Sequence, residues 1–225
     1  MKRPELVLME LCVAALFIAA LFQATSPELT GMVTSATSRV LIIRQDNVSC
    51  NISLVSGWNL ASTSCEPANA STAAVLESIN TTLISAHGYE PSGGLDRWKA
   101  YNPSLPNWTV QDLVNITRTK GYWLNLAQNS SLVHNGTWFS PSFVPLTTPW
   151  TLAGYPTNVS RDINVSLQDI VGSVQAVYLY NASDTADPWK VYYPTAPGLS
   201  DLNDTIPGFG LWFRVQGNSS WMVIW

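Results

Sequence analysis

Short apolar runs rich in β-branched and aromatic residues recur along this chain, divided by clusters of Gly, Pro, Asn and Asp. Runs of that length between turn residues read as strands. They predict strands at Trp58–Ala61, Leu83–Tyr89, Trp98–Tyr101, Tyr122–Leu126 and Ser131–His134, and then at Val174–Tyr180, Trp189–Tyr193, Leu211–Val215 and Trp221–Trp225. Thr72–Ile79 departs from the pattern and reads as a short helix, with Ser71 as its N-cap. Val33–Gln45 is extended and β-branched and precedes all of these. Residues 6–24, LVLMELCVAALFIAALFQA, form a long apolar stretch of a different kind.

The runs repeat. SGWNLAS at 56–62 matches TPWTLAG at 148–154, an offset of 92, and RWKAYNP at 97–103 matches PWKVYYP at 188–194, an offset of 91. VLESI at 75–79 matches SLQDI at 166–170, and KGYWLNL at 120–126 matches FGLWFRV at 209–215, an offset of 89. A drift of three residues over a whole module is what small loop insertions produce, so the chain reads as two copies of one unit. The expected fold is mainly all-β: two tandem small sandwich-like or barrel-like repeat domains, each with one short helix, after an N-terminal hydrophobic helix. The boundaries are 1–26 for a signal peptide or membrane anchor, 27–46 for an extended linker and candidate donor strand, 47–138 for repeat 1 and 139–225 for repeat 2.

The order G-W-N-L, short helix, aromatic strand, W-K-x-Y-x-P, G-Y-W and final strand resembles a repeat module found in tandem in extracellular proteins of archaea and bacteria. The resemblance spans about residues 47–225 and implies a surface location with an assembly or adhesion role. The second copy departs from it: Gly57-Trp58-Asn59 becomes Pro149-Trp150-Thr151, and Gly121-Tyr122-Trp123 becomes Gly210-Leu211-Trp212. A ligand site that used Asn59 or Tyr122 would therefore not be shared between copies.

The N-terminal stretch has three readings. Met1-Lys2-Arg3 sets a cytoplasmic start, so the chain beyond the apolar stretch faces outward. The uninterrupted run Leu11–Phe22 has the length of a signal-peptide core, whereas counting from Leu6 gives a thin membrane span. From Leu6 the run L-V-L-M-E-L also resembles the start of mature type IV pilins, with Glu10 at the fifth place, although Glu5 stands where such precursors carry a small residue.

Composition sharpens the picture. Charged residues are 12% of the chain and the net charge is −4, with no basic run, which excludes nucleic acid as a partner. Sixteen asparagines are present, and thirteen begin N-x-Ser/Thr sequons: Asn47, Asn51, Asn69, Asn80, Asn107, Asn115, Asn129, Asn135, Asn158, Asn164, Asn181, Asn203 and Asn218. Ser and Thr together number 43, so chance would give about three. Sequons serve only on surfaces that meet the glycosylation machinery outside the cytoplasm. Hydrated glycans would also supply the solubility that so few charges leave wanting. Such sequons joined to a prokaryotic-looking module point to an archaeal source.

Three cysteines are present. Cys12 lies in the apolar stretch, while Cys50 and Cys65 flank a tight turn at Ser56-Gly57. A hairpin there would bring Cys50 and Cys65 together across a ladder, and outside the cell a disulfide is the expected state.

Ten tryptophans stand in the chain, and six pair across the repeat: Trp58 with Trp150, Trp98 with Trp189, Trp123 with Trp212. Retention of large rings at matching places reads as core anchoring. Trp108 and Trp138 lack a tryptophan counterpart and are the candidate sugar-stacking rings. Catalytic motifs are missing, and the two histidines, His87 and His134, align with Tyr178 and Val223. Asp184/Asp187 and Asp201/Asp204 are the pairs nearest to a calcium pattern, but such loop aspartates read first as solvated turn residues. No enzyme, cofactor or metal is expected. The chain reads as a heavily N-glycosylated extracellular structural or adhesive surface protein, membrane-anchored or secreted. Like subunits or envelope proteins are the expected partners, and the membrane is met through the N-terminal segment. Filament assembly by strand exchange through Val33–Gln45 is the sharper form of that reading. The alternative is a carbohydrate-binding surface module that uses exposed Trp and Tyr.

Overall fold

The computed structural model describes residues 43–106 and 108–224. The N-terminal apolar stretch with Cys12, residues 33–42 of the donor-strand segment, Asn107 and Trp225 lie outside them. In chain order the first half holds β1 (Ile43–Leu54), β2 (Gly57–Ala61), β3 (Glu66–Pro67), α1 (Thr72–Val75), β4 (Leu83–Tyr89), β5 (Trp98–Tyr101), β6 (Tyr122–Leu126) and β7 (Ser130–Ser140). The second holds β8 (Ser142–Leu146), β9 (Trp150–Ala153), β10 (Arg161–Asp162), α2 (Ile163–Ser166), β11 (Val174–Tyr180), β12 (Trp189–Tyr192), β13 (Asp204–Thr205), β14 (Leu211–Val215) and β15 (Ser219–Val223). The described residues are mainly β, with several sheets and only single-turn helices.

The two halves repeat one connectivity. A four-stranded sheet runs β2-β6-β4-β5 in the first half and β9-β14-β11-β12 in the second. In each half a second ladder lies apart from that sheet, β1 with β7 and β8 with β15. Each half has its own core, one built from Ala61, Leu76, Ile79, Tyr122, Leu124 and Leu126, the other from Ala153, Ile163, Leu167, Leu211, Phe213 and Trp221. Trp221 is fully buried, stacks on Tyr155 at 5.6 Å and donates its indole N–H to Ser166 O at 2.7 Å.

The turn at Ser56-Gly57 is present, with Gly57 at φ +87°, a conformation that glycine enters without cost. It does not make a hairpin, however, because β1 pairs with β7 while β2 pairs with β6. The Asn59 side chain fixes this change of sheet, accepting from Val55 N at 3.0 Å and donating to Val55 O at 2.7 Å. Thr151 does the same in the second half, accepting from Thr147 N at 2.7 Å and donating to Thr147 O at 2.9 Å. Cys50 and Cys65 are joined by a disulfide that ties β1 to the loop before β3, a route other than the expected hairpin. It closes a loop of 15 residues, which contributes about 3 kcal/mol in the chain-entropy picture. The helix is shorter than the stretch 72–79: α1 ends at Val75, and a 3₁₀ turn covers Glu77–Ile79. Ser71 occupies the N-cap position without a side-chain cap bond.

Backbone joins the halves. Gly210 N donates to Leu60 O and Gly121 N to Leu152 O, both at 3.1 Å. Ser62 N donates to Gly208 O and Gly154 N to Thr119 O, both at 2.9 Å. The segment leading into β14 thus caps the edge of β2, and the segment leading into β6 caps the edge of β9, so neither edge is left open there. The approach requires glycine. A Cβ on Gly210 would stand 3.2 Å from Gly121 Cα and 3.1 Å from Ala61 O. One on Gly121 would meet Ala153 O and Leu152 Cδ1 at 2.9 Å, and one on Gly154 would meet Arg118 O at 2.2 Å.

Gly121→Val and Gly154→Ala should each destabilise the protein by about 3 kcal/mol, since backbone atoms must move to admit the added carbon. Gly172→Ala, where nothing lies within 4 Å, should change stability little. Urea denaturation midpoints check both, and equal midpoints for Gly154→Ala and Gly172→Ala would refute the joint.

Candidate functional site

Strand alternation decides where the tryptophans go. Tyr122, Leu124 and Leu126 of β6 are buried in the first core, so Trp123 and Asn125 face the other way. Leu211, Phe213 and Val215 of β14 are buried in the second core, which turns Trp212 and Arg214 outward. The six paired tryptophans therefore do not anchor the cores, as retention in both copies suggested. They stand on the outer faces of the two four-stranded sheets, where Trp58, Trp98 and Trp189 keep 44%, 47% and 44% exposure.

On those faces the rings of one half reach the other. Trp123 lies 5.2 Å from Tyr180 and 5.9 Å from Trp189, while Trp212 lies 5.0 Å from Tyr89 and 5.9 Å from Trp98. Trp58 meets Trp123, and Trp150 meets Trp212, each at 6.2 Å and an interplanar angle of 86°. Edge-to-face rings at these distances each add about 0.5–1.5 kcal/mol beyond the area they bury. The arrangement is an aromatic seam between the halves.

The seam leaves an open groove of about 380 Å³ walled by Trp58, His87, Trp98, Trp123 and Tyr180. Every wall is an aromatic ring. His87 lies 5.6 Å from the Trp58 ring, and its Nε2 is 3.1 Å from Ser85 Oγ. Burial lowers the pKa of His87 from its ordinary value, so the imidazole in this wall is neutral at neutral pH. Ring retention alone conceals this site; the alternation in Y-W-L-N-L and L-W-F-R-V is the sequence signal that carries it.

A larger cavity of about 610 Å³ lies beside Tyr180, lined in part by Asn51, Trp138, Asn158, Asn181 and Phe209. Three sequon asparagines thus ring one hollow. Of the twelve described sequon asparagines, Asn181 is half-buried and the other eleven (Asn47, Asn51, Asn69, Asn80, Asn115, Asn129, Asn135, Asn158, Asn164, Asn203 and Asn218) are exposed. At Asn69, Asn129, Asn181 and Asn218 the Oδ1 atom accepts a backbone N–H, from Ser71, Ser56, Ser183 and Thr148 respectively. Each of those bonds uses the oxygen and leaves Nδ2, the atom that takes a glycan, turned from that donor. Asn47 has φ +54° at a break in the β1–β7 register, a conformation asparagine tolerates better than most residues.

Trp108 stands on a loop at 85% exposure. Trp138 is half-buried and packs against Val48, Cys50 and Cys65. His134 is buried, with Nε2 at 2.6 Å from Thr63 Oγ1. Desolvation lowers its pKa, opposed weakly by the Asn135 carbonyl. The aspartates considered for calcium are placed otherwise: Asp184, Asp187 and Asp201 gather around the Lys190 ammonium at 3.2, 2.8 and 3.9 Å. In the first half Lys99 holds Asp96 and Asp112 at 2.7 and 3.2 Å. These ion pairs brace the turn before β12 or β5 against the loop beyond it. Asp204 sits apart on β13, opposite Asp162. No group of three metal-ligating side chains occurs among the described residues, and no described helix is long and apolar enough to cross a membrane.

No family model, no curated protein and no solved structure matches this chain.

Both histidines are neutral in the fold at pH values where they would be protonated in the unfolded chain. Their stabilising effect is complete above about pH 6.5 and is lost as pH falls from there through their lowered folded values. Urea midpoints should therefore fall between about pH 6.5 and 5, before the carboxylates near 4 begin to titrate. His134→Asn should flatten that slope. A midpoint that holds or rises over this window would contradict the assignment.

Proposed function

We propose that this protein is a heavily N-glycosylated structural or adhesive component of an archaeal cell surface, built from two tandem copies of one small β-sandwich module. The observation that carries the reading is the accessibility of its sequons: thirteen occur, and eleven of the twelve described asparagines are exposed. The three asparagines outside sequons, Asn59, Asn102 and Asn125, are by contrast buried or half-buried. The Cys50–Cys65 disulfide is in keeping with an oxidising location.

Assembly with like subunits is part of the proposal. Ile43–Gln45 of the donor segment already pair with Trp138–Ser140 of their own chain. Exchange then falls to residues 33–42, and β15, which pairs with β8 alone among the described residues, offers the acceptor edge. Carbohydrate binding is a second reading, favoured by the 85% exposure of Trp108, whose replacement by Ala would abolish binding on a glycan array.

Peptide mass spectrometry of the protein taken from native cells tests the main reading. Sugar additions are expected on most of the exposed sequons, Asn135 and Asn158 included. A cytoplasmic, unmodified protein would overturn it. Size analysis adds a second arm: full-length chains are expected to form oligomers that a version starting at Ile43 does not.

A further inference from the structure

The repeat supplies an internal comparison for the aromatic groove. In the first half Trp58 lies opposite Asn125 in the ladder, and in the second Trp150 lies opposite Arg214. The two pairs are equivalent, since each tryptophan packs on the equivalent ring, Trp123 or Trp212, at 6.2 Å and 86°. In the second half the guanidinium of Arg214 sits over the Trp150 ring, 5.7 Å from its centroid. Arg214 forms no ion pair among the described residues, so the ring face is the partner this cation has. Its charge also acts on the Tyr178 phenol, the residue equivalent to His87.

The first half has the same face without the cation. Asn125 is short and uncharged, and the Trp58 ring is 44% exposed on an open groove of about 380 Å³. The walls offer π faces and a neutral imidazole and no carboxylate. A sugar would bring hydroxyls that need several hydrogen-bond partners, and five aromatic walls supply few. A guanidinium needs flat electron-rich faces, which Trp and Tyr give best.

We propose that the groove bounded by Trp58, His87, Trp98, Trp123 and Tyr180 binds a guanidinium group from outside the chain, held on the Trp58 ring as the Trp150 ring holds Arg214 in the second half. The ligand class is an arginine side chain presented by a partner protein, for which N-acetyl-arginine amide is the probe.

Tryptophan fluorescence titration of the full chain with that probe tests it, against N-acetyl-citrulline amide as a neutral isostere. The arginine probe is expected to bind at least about tenfold more tightly, the range that one well-placed cation–ring contact provides. Asn125→Arg leaves all five walls in place and supplies an internal cation, so it should abolish binding while the urea midpoint holds. Trp58→Ala should weaken binding by about tenfold or more. Equal binding of the citrulline analogue, retained binding in Asn125→Arg, or a preference for a neutral disaccharide would each overturn the proposal.

Discussion

The distance between the two halves is set where the backbones at Gly121 and Gly210 pass each other, so closely that a methyl group on Gly210 would stand 3.2 Å from Gly121 Cα. Everything on the outer faces depends on that approach. Only with the strands drawn together do β2 and β9 find partners in the opposite half, and only then can Trp123 reach Tyr180 while Trp212 reaches Tyr89. Each glycine sits two places before its outward tryptophan, so one short G-x-W segment supplies both the close backbone and the ring. Duplicating it gives a joint whose two sides are complementary because they are the same.

Such a joint constrains the copies unequally. Positions in the cores can drift as long as volume is kept. Positions in the seam must suit both their own half and the other. Most of the seam keeps its ring type, and the exceptions, His87 against Tyr178 and Asn125 against Arg214, cluster around one tryptophan. The two faces share one ring geometry, and the residues at those two positions leave one covered by Arg214 and the other open.

Much of this was legible in the sequence. The runs at 83–89, 98–101, 122–126, 174–180 and 211–215 are strands at those bounds, because turn residues interrupt the apolar pattern cleanly at each end. The strand before the Ser56-Gly57 turn is legible but its partner is not, since β1 pairs with the distant β7. β8 is not legible as a strand, because Ser and Pro break its apolar pattern and its partner β15 lies far along the chain. The cysteine pair is legible for a reason the fold does not share: the Ser56-Gly57 turn exists, but Asn59 uses it to pass the chain between sheets. Retention of the paired tryptophans points to the cores, because large retained rings are most often buried. The parity of Tyr122 and Leu124 around Trp123 held the opposite answer, yet which parity faces a core depends on what packs beneath the sheet, which only the folded chain shows.

The disulfide has a mechanical side. Tension applied from the N-terminal side of Ile43 would load the start of β1 first. Between Ile43 and Ser49 that strand is held by its ladder to β7, and hydrogen bonds at a strand end can be stripped in sequence. At Cys50 the stripping stops. The covalent link passes the load to Cys65, which is fully buried beside His134 and Trp138, so the force spreads into the packed interior rather than unzipping the rest of β1. A chain tethered by its N-terminal side would then yield by a few residues and stiffen, behaving as a short compliant leash on a rigid body.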